Sequence, residues 1–133
     1  MVKSKFVADY QLNASKKIVY PFLSTASGLA QWFADDVVIN EDKVYNFIYD
    51  GENHYAKIVM QKNLHGIRFE FIDKHNPDAS SDDPTFLEFE LDLNELTQSL
   101  YLRVIDYSEQ DDEEEMQDIW DGLIGSLKEI IGA

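Results

Sequence analysis

The spacing of apolar residues changes period along the chain, and each change marks an element. Residues 4–12 alternate, with Phe6, Ala8, Tyr10 and Leu12 on one side and Val7, Asp9 and Gln11 on the other, the two-residue repeat of a strand buried on one face. From Lys16 to Ala34 the apolar residues Ile18, Val19, Phe22, Leu23, Leu29, Trp32 and Phe33 recur at three- and four-residue spacing, interrupted by the small polar run Ser24 to Gly28. That pattern predicts two short helices, with Asn13 and Ser15 as candidate N-caps. Pro21 is expected to kink or end the first of them, because it has no N–H for the helical ladder. Beyond Asp36 the two-residue period returns over Val37–Asn40, Lys43–Asp50, Asn53–Lys62, His65–Ile72, Pro84–Leu93 and Ser99–Tyr107. The short turn signals Glu41-Asp42, Asp50-Gly51-Glu52, Asn63-Leu64-His65-Gly66 and Asn94-Glu95 favour antiparallel neighbours.

The clearest alternation is Thr85 to Leu93, which predicts Leu87, Phe89, Leu91 and Leu93 facing inward and Glu88, Glu90 and Asp92 facing water. Asp73 to Asp83 is polar, contains proline and is longer than a tight turn requires, so it reads as a mobile loop. From about Asp111 to Ile131 the period becomes helical, with Met116, Ile119, Trp120, Leu123, Ile124, Leu127, Ile130 and Ile131 forming a broad apolar stripe. Gly122 and Gly125 each cost about 1 kcal/mol relative to alanine inside a helix, so they predict either a close approach to the sheet or room for a ligand.

Length and charge narrow the function classes. The 133 residues fit one domain with one core, and 44% hydrophobic residues make that core sizeable. The start, MVKSKFVADYQLN, alternates where a signal peptide would be continuously apolar, and no window approaches the ~18 apolar residues of a membrane span; a soluble, cytoplasmic protein without stable membrane anchoring is expected. The net charge of −15 is one-sided: residues 1–74 carry 9 basic and 9 acidic residues, residues 75–133 carry 2 and 17. With only Lys3, Lys5, Lys16 and Lys17 close together in sequence, neither nucleic acid nor an anionic membrane is an expected partner.

Little in the chain carries catalytic chemistry. The absence of cysteine excludes disulfides, thiolate metal sites and cysteine nucleophiles. His54, His65 and His75 fall beside turns without the spacing of a metal site and read as solvated surface residues. The serines lack a Gly-x-Ser-x-Gly elbow, and there is no glycine-rich phosphate loop. The acidic run EQDDEEEMQD lacks the ligand pattern of a calcium loop and reads as the solvated start of the terminal helix, where carboxylates favour the positive end of the dipole. No catalytic residue, metal or cofactor is expected.

Ala14-Ser15-Lys16-Lys17-Ile18-Val19-Tyr20, then Leu23, Leu29 and Trp32-Phe33, resemble the START-like (SRPBCC) superfamily. They resemble most closely the branch named after the activator of the heat-shock chaperone ATPase, with its Leu-x-x-Trp-Phe signature. Trp120, Ile124, Leu127-Lys128 and Ile131 resemble the terminal helix of that branch, whereas Lys16, Pro21 and Ile119 depart from its usual residues. The resemblance implies an α+β helix-grip fold: a curved antiparallel sheet of about seven strands wrapped around a long C-terminal helix, with two short helices after the first strand. It also implies an apolar cavity between sheet and helix. Relatives with cyclase or hydrolase activity use polar residues inside that cavity, for which Tyr10, Tyr45, Tyr49 and Asp106 are the candidates here.

Tyr45, Phe47 and Tyr49 share one strand face, Phe69 and Phe71 another, Phe89 and Leu91 a third, and Leu100, Leu102 and Val104 a fourth. Converging on Trp120, Leu123 and Leu127, with Trp32 and Phe33 as an inner wall, they would line a pocket for a small hydrophobic or lipid-like ligand, unless side chains this large simply fill the core, as the near-solid density of protein interiors favours. The alternative function is a protein-interaction module of the chaperone ATPase activator type, with no ligand. In either case the Ser24–Gly28 turn is placed to flex over one end of any cavity.

Overall fold

The structure, a computed structural model, describes residues 3–72 and 83–132. Its elements follow in the order β1 (Ser4–Leu12), α1 (Lys16–Ser24), α2 (Ala26–Trp32), β2 (Asp36–Ile39), β3 (Tyr45–Tyr49), β4 (Glu52–Lys62), β5 (Gly66–Phe71), β6 (Phe86–Asn94), β7 (Ser99–Ser108) and α3 (Glu113–Ile131). All seven strands form one antiparallel sheet in the order β1-β7-β6-β5-β4-β3-β2, and α3 lies on its concave face against α2 and β1. This is the helix-grip arrangement. The loop read over Asp73–Asp83 lies, apart from Asp83, outside the described residues.

Register turns the alternation of each strand into continuous rows across the concave face. One row joins Tyr10, Leu102 and Leu91; the next joins Ala8, Val104, Phe89 and Ile67; a third joins Phe6, Asp106, Leu87, Phe69 and Ile58. Asp106 is the one acidic residue in these rows. Val59 is an extra residue in β4, a bulge between the Ile58–Phe69 and Met60–Arg68 pairs of the kind that adds twist and bend to a sheet. The β3–β4 turn is built on Asp50 and Gly51, both at positive φ (53° and 71°), the backbone a two-residue hairpin needs.

The helix ends are capped by side chains that the sequence supplies. Ser15 accepts the Ile18 N–H at the start of α1, and Asp112 accepts the Glu115 N–H at the start of α3. Glu113, Glu114 and Glu115 occupy the first turn of α3, and Gly132, at φ 73°, closes its other end. Pro21 does not end α1, which runs on to Ser24. The missing N–H deprives only the Lys17 carbonyl of its helical donor, on an exposed turn that water reaches, and the Pro21 carbonyl still accepts the Thr25 N–H.

Three further expectations change. Leu93, placed inward by alternation, is 39% exposed near the end of β6, in an open hollow beside the start of α1. Glu88, placed in water, is only 5% exposed: Arg68 on β5 pairs with it at 2.6 Å and lays its guanidinium over the Phe86 ring at 4.0 Å. Gly122 and Gly125 do not mark a close approach to the sheet, because a Cβ at either would meet nothing within 4 Å.

The junction between α1 and α2 is tightly built. Thr25 caps both helices, its hydroxyl donating to the Pro21 carbonyl (2.7 Å) and accepting from the Gly28 N–H (3.0 Å). Tyr45 donates to the Ser24 carbonyl and the Trp32 indole to the Phe22 carbonyl, so β3 and α2 both hold the turn. A Cβ on Gly28 would lie 2.3 Å from the Pro21 oxygen, which is why glycine stands there. The turn expected to flex is thus fastened by hydrogen bonds on both sides.

Candidate functional site

Where the end of α2, the β3–β4 hairpin, the start of β6, the end of β7 and one face of α3 come together, they leave a cleft of about 960 Å³. Its floor is apolar and aromatic. Trp32 is brought there by the last turn of α2 and Phe33 by the residue that ends that helix. Phe33 stacks on Trp120 of α3 (centroids 5.8 Å apart, planes at 21°) and meets Tyr49 edge-on at 6.4 Å. On α3, Met116, Ile119, Trp120, Leu123 and Ser126 recur at three- and four-residue spacing and form one wall. Ile119 is 46% exposed at the rim.

Of the residues proposed from sequence to line a cavity, Trp32, Phe33, Tyr49, Phe71, Trp120 and Leu123 meet at this cleft. Tyr45, Phe47, Phe69, Phe89, Leu91, Leu102 and Leu127 are buried in the packed core, to which Trp32 and Trp120 (5% and 2% exposed) also belong, so that Phe33, Tyr49, Phe71 and Leu123 are the half-exposed members at the cleft. The second group forms its foundation: Phe89 touches Trp32, Phe33 and Trp120, and Phe47 meets Phe33 at 90°. Such offset and edge-on contacts fix ring positions and give the cleft a rigid base.

Polar groups at the cleft come from positions that apolar periodicity does not weigh: Asp35 after α2, Asp50 in the hairpin turn, His54 on β4, Thr85 before β6, and Asp106 and Ser108 on β7. Asp106 accepts the Trp120 indole N–H at 3.1 Å. Burial pushes its carboxyl above the usual range, while hydrogen bonds from Trp120 and Ser108 pull the other way. Burial, with the negative field of Asp106, Asp50 and Glu52, pushes the Tyr49 phenol up to about 12, so it remains a neutral hydroxyl. His54 is not the solvated residue that its place beside a turn suggests: half-buried, it stacks flat on Tyr49 (3.7 Å, 3°), and its Nδ1 lies 3.1 Å from the Phe47 carbonyl.

The other polar candidates lead elsewhere. Tyr10 donates to Asp121 Oδ1 at 2.9 Å, tying β1 to α3, and burial with that carboxylate pushes its pKa up. Tyr45 is engaged at the α1–α2 junction. Among the described residues no group of three or more His, Asp or Glu side chains is placed to hold a metal ion. A second hollow of about 690 Å³ on the convex face is occupied by charge pairs, with Arg103 at 2.9 Å from Asp9 and 3.9 Å from Glu90. His65 lines it and is exposed.

Comparison with known proteins points the same way as the fold. The sequence pattern defining the START-like superfamily domain matches residues 1–133. A Bacteroides fragilis protein solved in solution is 34% identical, with 98% of this chain and 92% of that chain covered and a TM-score of 0.62. The Aha1 dimer from Colwellia psychrerythraea is similar in structure at 17% identity (TM-score 0.72; 98% and 96% covered). So is a Mesorhizobium loti protein at 12% identity (TM-score 0.73; 97% of each chain covered). No curated protein matches the chain.

Proposed function

The chain belongs to the START-like superfamily, and from that premise we propose that it binds a small hydrophobic or amphipathic ligand in the cleft between the sheet and α3. One observation carries the reading. About 960 Å³ of space with walls from Trp32, Phe33, Phe71, Trp120 and Leu123 lies at the sheet–helix junction, and a few polar groups stand at its edge. Aromatic walls offer apolar contact on binding, and isolated polar groups fix orientation, which is the composition of small-molecule sites. On this reading the protein works as a single START-like domain over 1–133, in the cytoplasm, and as a carrier or sensor instead of an enzyme. Among the described residues, no helix is long and apolar enough to cross a membrane.

Native mass spectrometry of gently purified protein and titration with the neutral dye N-phenyl-1-naphthylamine test the proposal. A co-purifying small molecule or one saturable dye site, weakened about tenfold or more (~1.4 kcal/mol) by Ser126→Trp on the cleft wall, is the expected result. Folded protein that carries nothing and binds no dye would overturn it.

A second reading, a protein-interaction module of the chaperone ATPase activator type, is favoured by Ile119 and Ile130, exposed on the acidic terminal helix. A basic partner recovered from cytosol at low salt and lost at high salt would support it. A clean pull-down at both salts would count against it.

A further inference from the structure

We propose that the cleft selects a cationic amphiphile, an aromatic or alkyl amine whose ammonium group meets Asp106 while its apolar body lies against Phe33, Tyr49 and Leu123. The inference rests on the ligand-binding reading above and adds the charge of the ligand.

Three described lining residues carry carboxylates, Asp35, Asp50 and Asp106, and no described lining residue is a lysine or arginine. His54 is the remaining basic side chain, and its ring is taken up by Tyr49, by the Phe47 carbonyl at Nδ1 and by the Glu52 carboxylate 3.9 Å from Nε2. Asp106 is the informative member. It sits in a row otherwise made of Phe6, Leu87, Phe69 and Ile58, where an apolar side chain would pack at no electrostatic cost. Its hydrogen bonds come from neutral donors, the Trp120 indole and the Ser108 hydroxyl, and among the described residues no lysine or arginine pairs with it.

A carboxylate withdrawn from water without a counter-ion is costly, and proteins ordinarily pair such a group. The contrast within this molecule is direct: Glu88, on the other face, has Arg68 at 2.6 Å. In the cleft the missing counter-charge is supplied by the ligand. The surrounding rings suit the same chemistry, because an ammonium group is attracted to the faces of tryptophan, tyrosine and phenylalanine. The net charge of −15 draws cations toward the molecule and repels anions. The raised pKa of Asp106 fits a site that is relieved when a cation arrives.

Isothermal titration of the full chain with a matched trio separates charge from hydrophobicity: 1-naphthylmethylammonium, 1-naphthylmethanol and 1-naphthoate share the ring system and differ in charge. The ammonium compound is expected to bind about tenfold or more tighter than the alcohol, with the carboxylate weakest. Asp106→Asn, which keeps an oxygen for the Trp120 indole, should abolish most of that preference. Glu95→Gln, in the β6–β7 turn at the far end of the strands, changes net charge equally and should keep it. Equal binding of ammonium and alcohol would overturn the inference while leaving the cleft as a ligand site. Equal loss in both variants would assign the preference to the overall field and overturn the role of Asp106. Failure of all three compounds together with N-phenyl-1-naphthylamine would overturn the ligand-binding reading itself.

Discussion

At the scale of single residues, Gly28 and Asp106 stand out because each occupies a place where the ordinary choice is excluded. Gly28 leaves no room for a methyl group beside the Pro21 carbonyl and the Phe22 Cα, which lie in backbone that cannot swing aside. Gly28→Ala is therefore expected to destabilise by about 1–3 kcal/mol, the range for overpacking, read as a lowered urea midpoint. Asp106 has the opposite problem, a polar group where apolar neighbours dominate. Its folded pKa is raised by burial above the unfolded value, so the protonated form is favoured in the native state. Its stabilising contribution is complete below the unfolded pKa of about 3.9 and is lost as pH rises through the folded pKa. Its hydrogen-bond partners Trp120 and Ser108 and the raised Tyr49 phenol keep their charge there, whereas Asp35, Asp50 and His54 share the cleft and stand unchanged in both proteins, so the comparison of the two isolates Asp106. The Tm of Asp106→Asn relative to the natural protein should therefore climb from about pH 4 upward and then level off. A pH-independent difference would show that Asp106 is not desolvated.

At the scale of elements, the half-buried Arg68–Glu88 pair joins β5 to β6 across the register pair those two residues form. Arg68→Ala removes the charged partner of Glu88 and should cost about 1–2 kcal/mol, whereas adding Glu88→Gln should recover part of that loss, both measured by chemical denaturation. On α3, Gly122 faces open space, so Gly122→Ala should raise stability by up to about 1 kcal/mol through helix propensity alone. These two elements also mark what the sequence discloses. Alternation located every strand of the sheet, and capping residues with a 3.6-residue period located the helices, because both signals are local. Pairing across strands is not local: the burial of Glu88 depends on Arg68 standing opposite and on Phe86 beneath the guanidinium. The same limit explains why Leu93 read as core. Alternation assigns a face of the sheet but not how tightly each position on that face is covered, and Leu93 lies in an open hollow beside the start of α1.

At the scale of the whole molecule, the division of the aromatic inner face between core and cleft is set by where α3 crosses the curved sheet. Phe47, Phe69 and Phe89 lie under packed side chains, whereas Phe33, Tyr49 and Phe71 reach the space beside the helix. Residue type is the same in both groups, so no local pattern could separate them; Asp106 on a strand of otherwise apolar inward positions was the sequence signal closest to the site. Charge also acts globally. With a net charge of −15, self-repulsion in the compact state is screened by salt, so the Tm should rise as sodium chloride is increased from low to near-physiological concentration, and a fall would contradict that balance. Finally, the only two tryptophans, Trp32 and Trp120, come from opposite ends of the chain and lie with ring centroids 6.5 Å apart and planes at 57°. Two indoles this close and this tilted couple their electronic transitions. The natural protein therefore carries an unlabelled optical gauge, an exciton signal in circular dichroism, that responds when α3 shifts against α2.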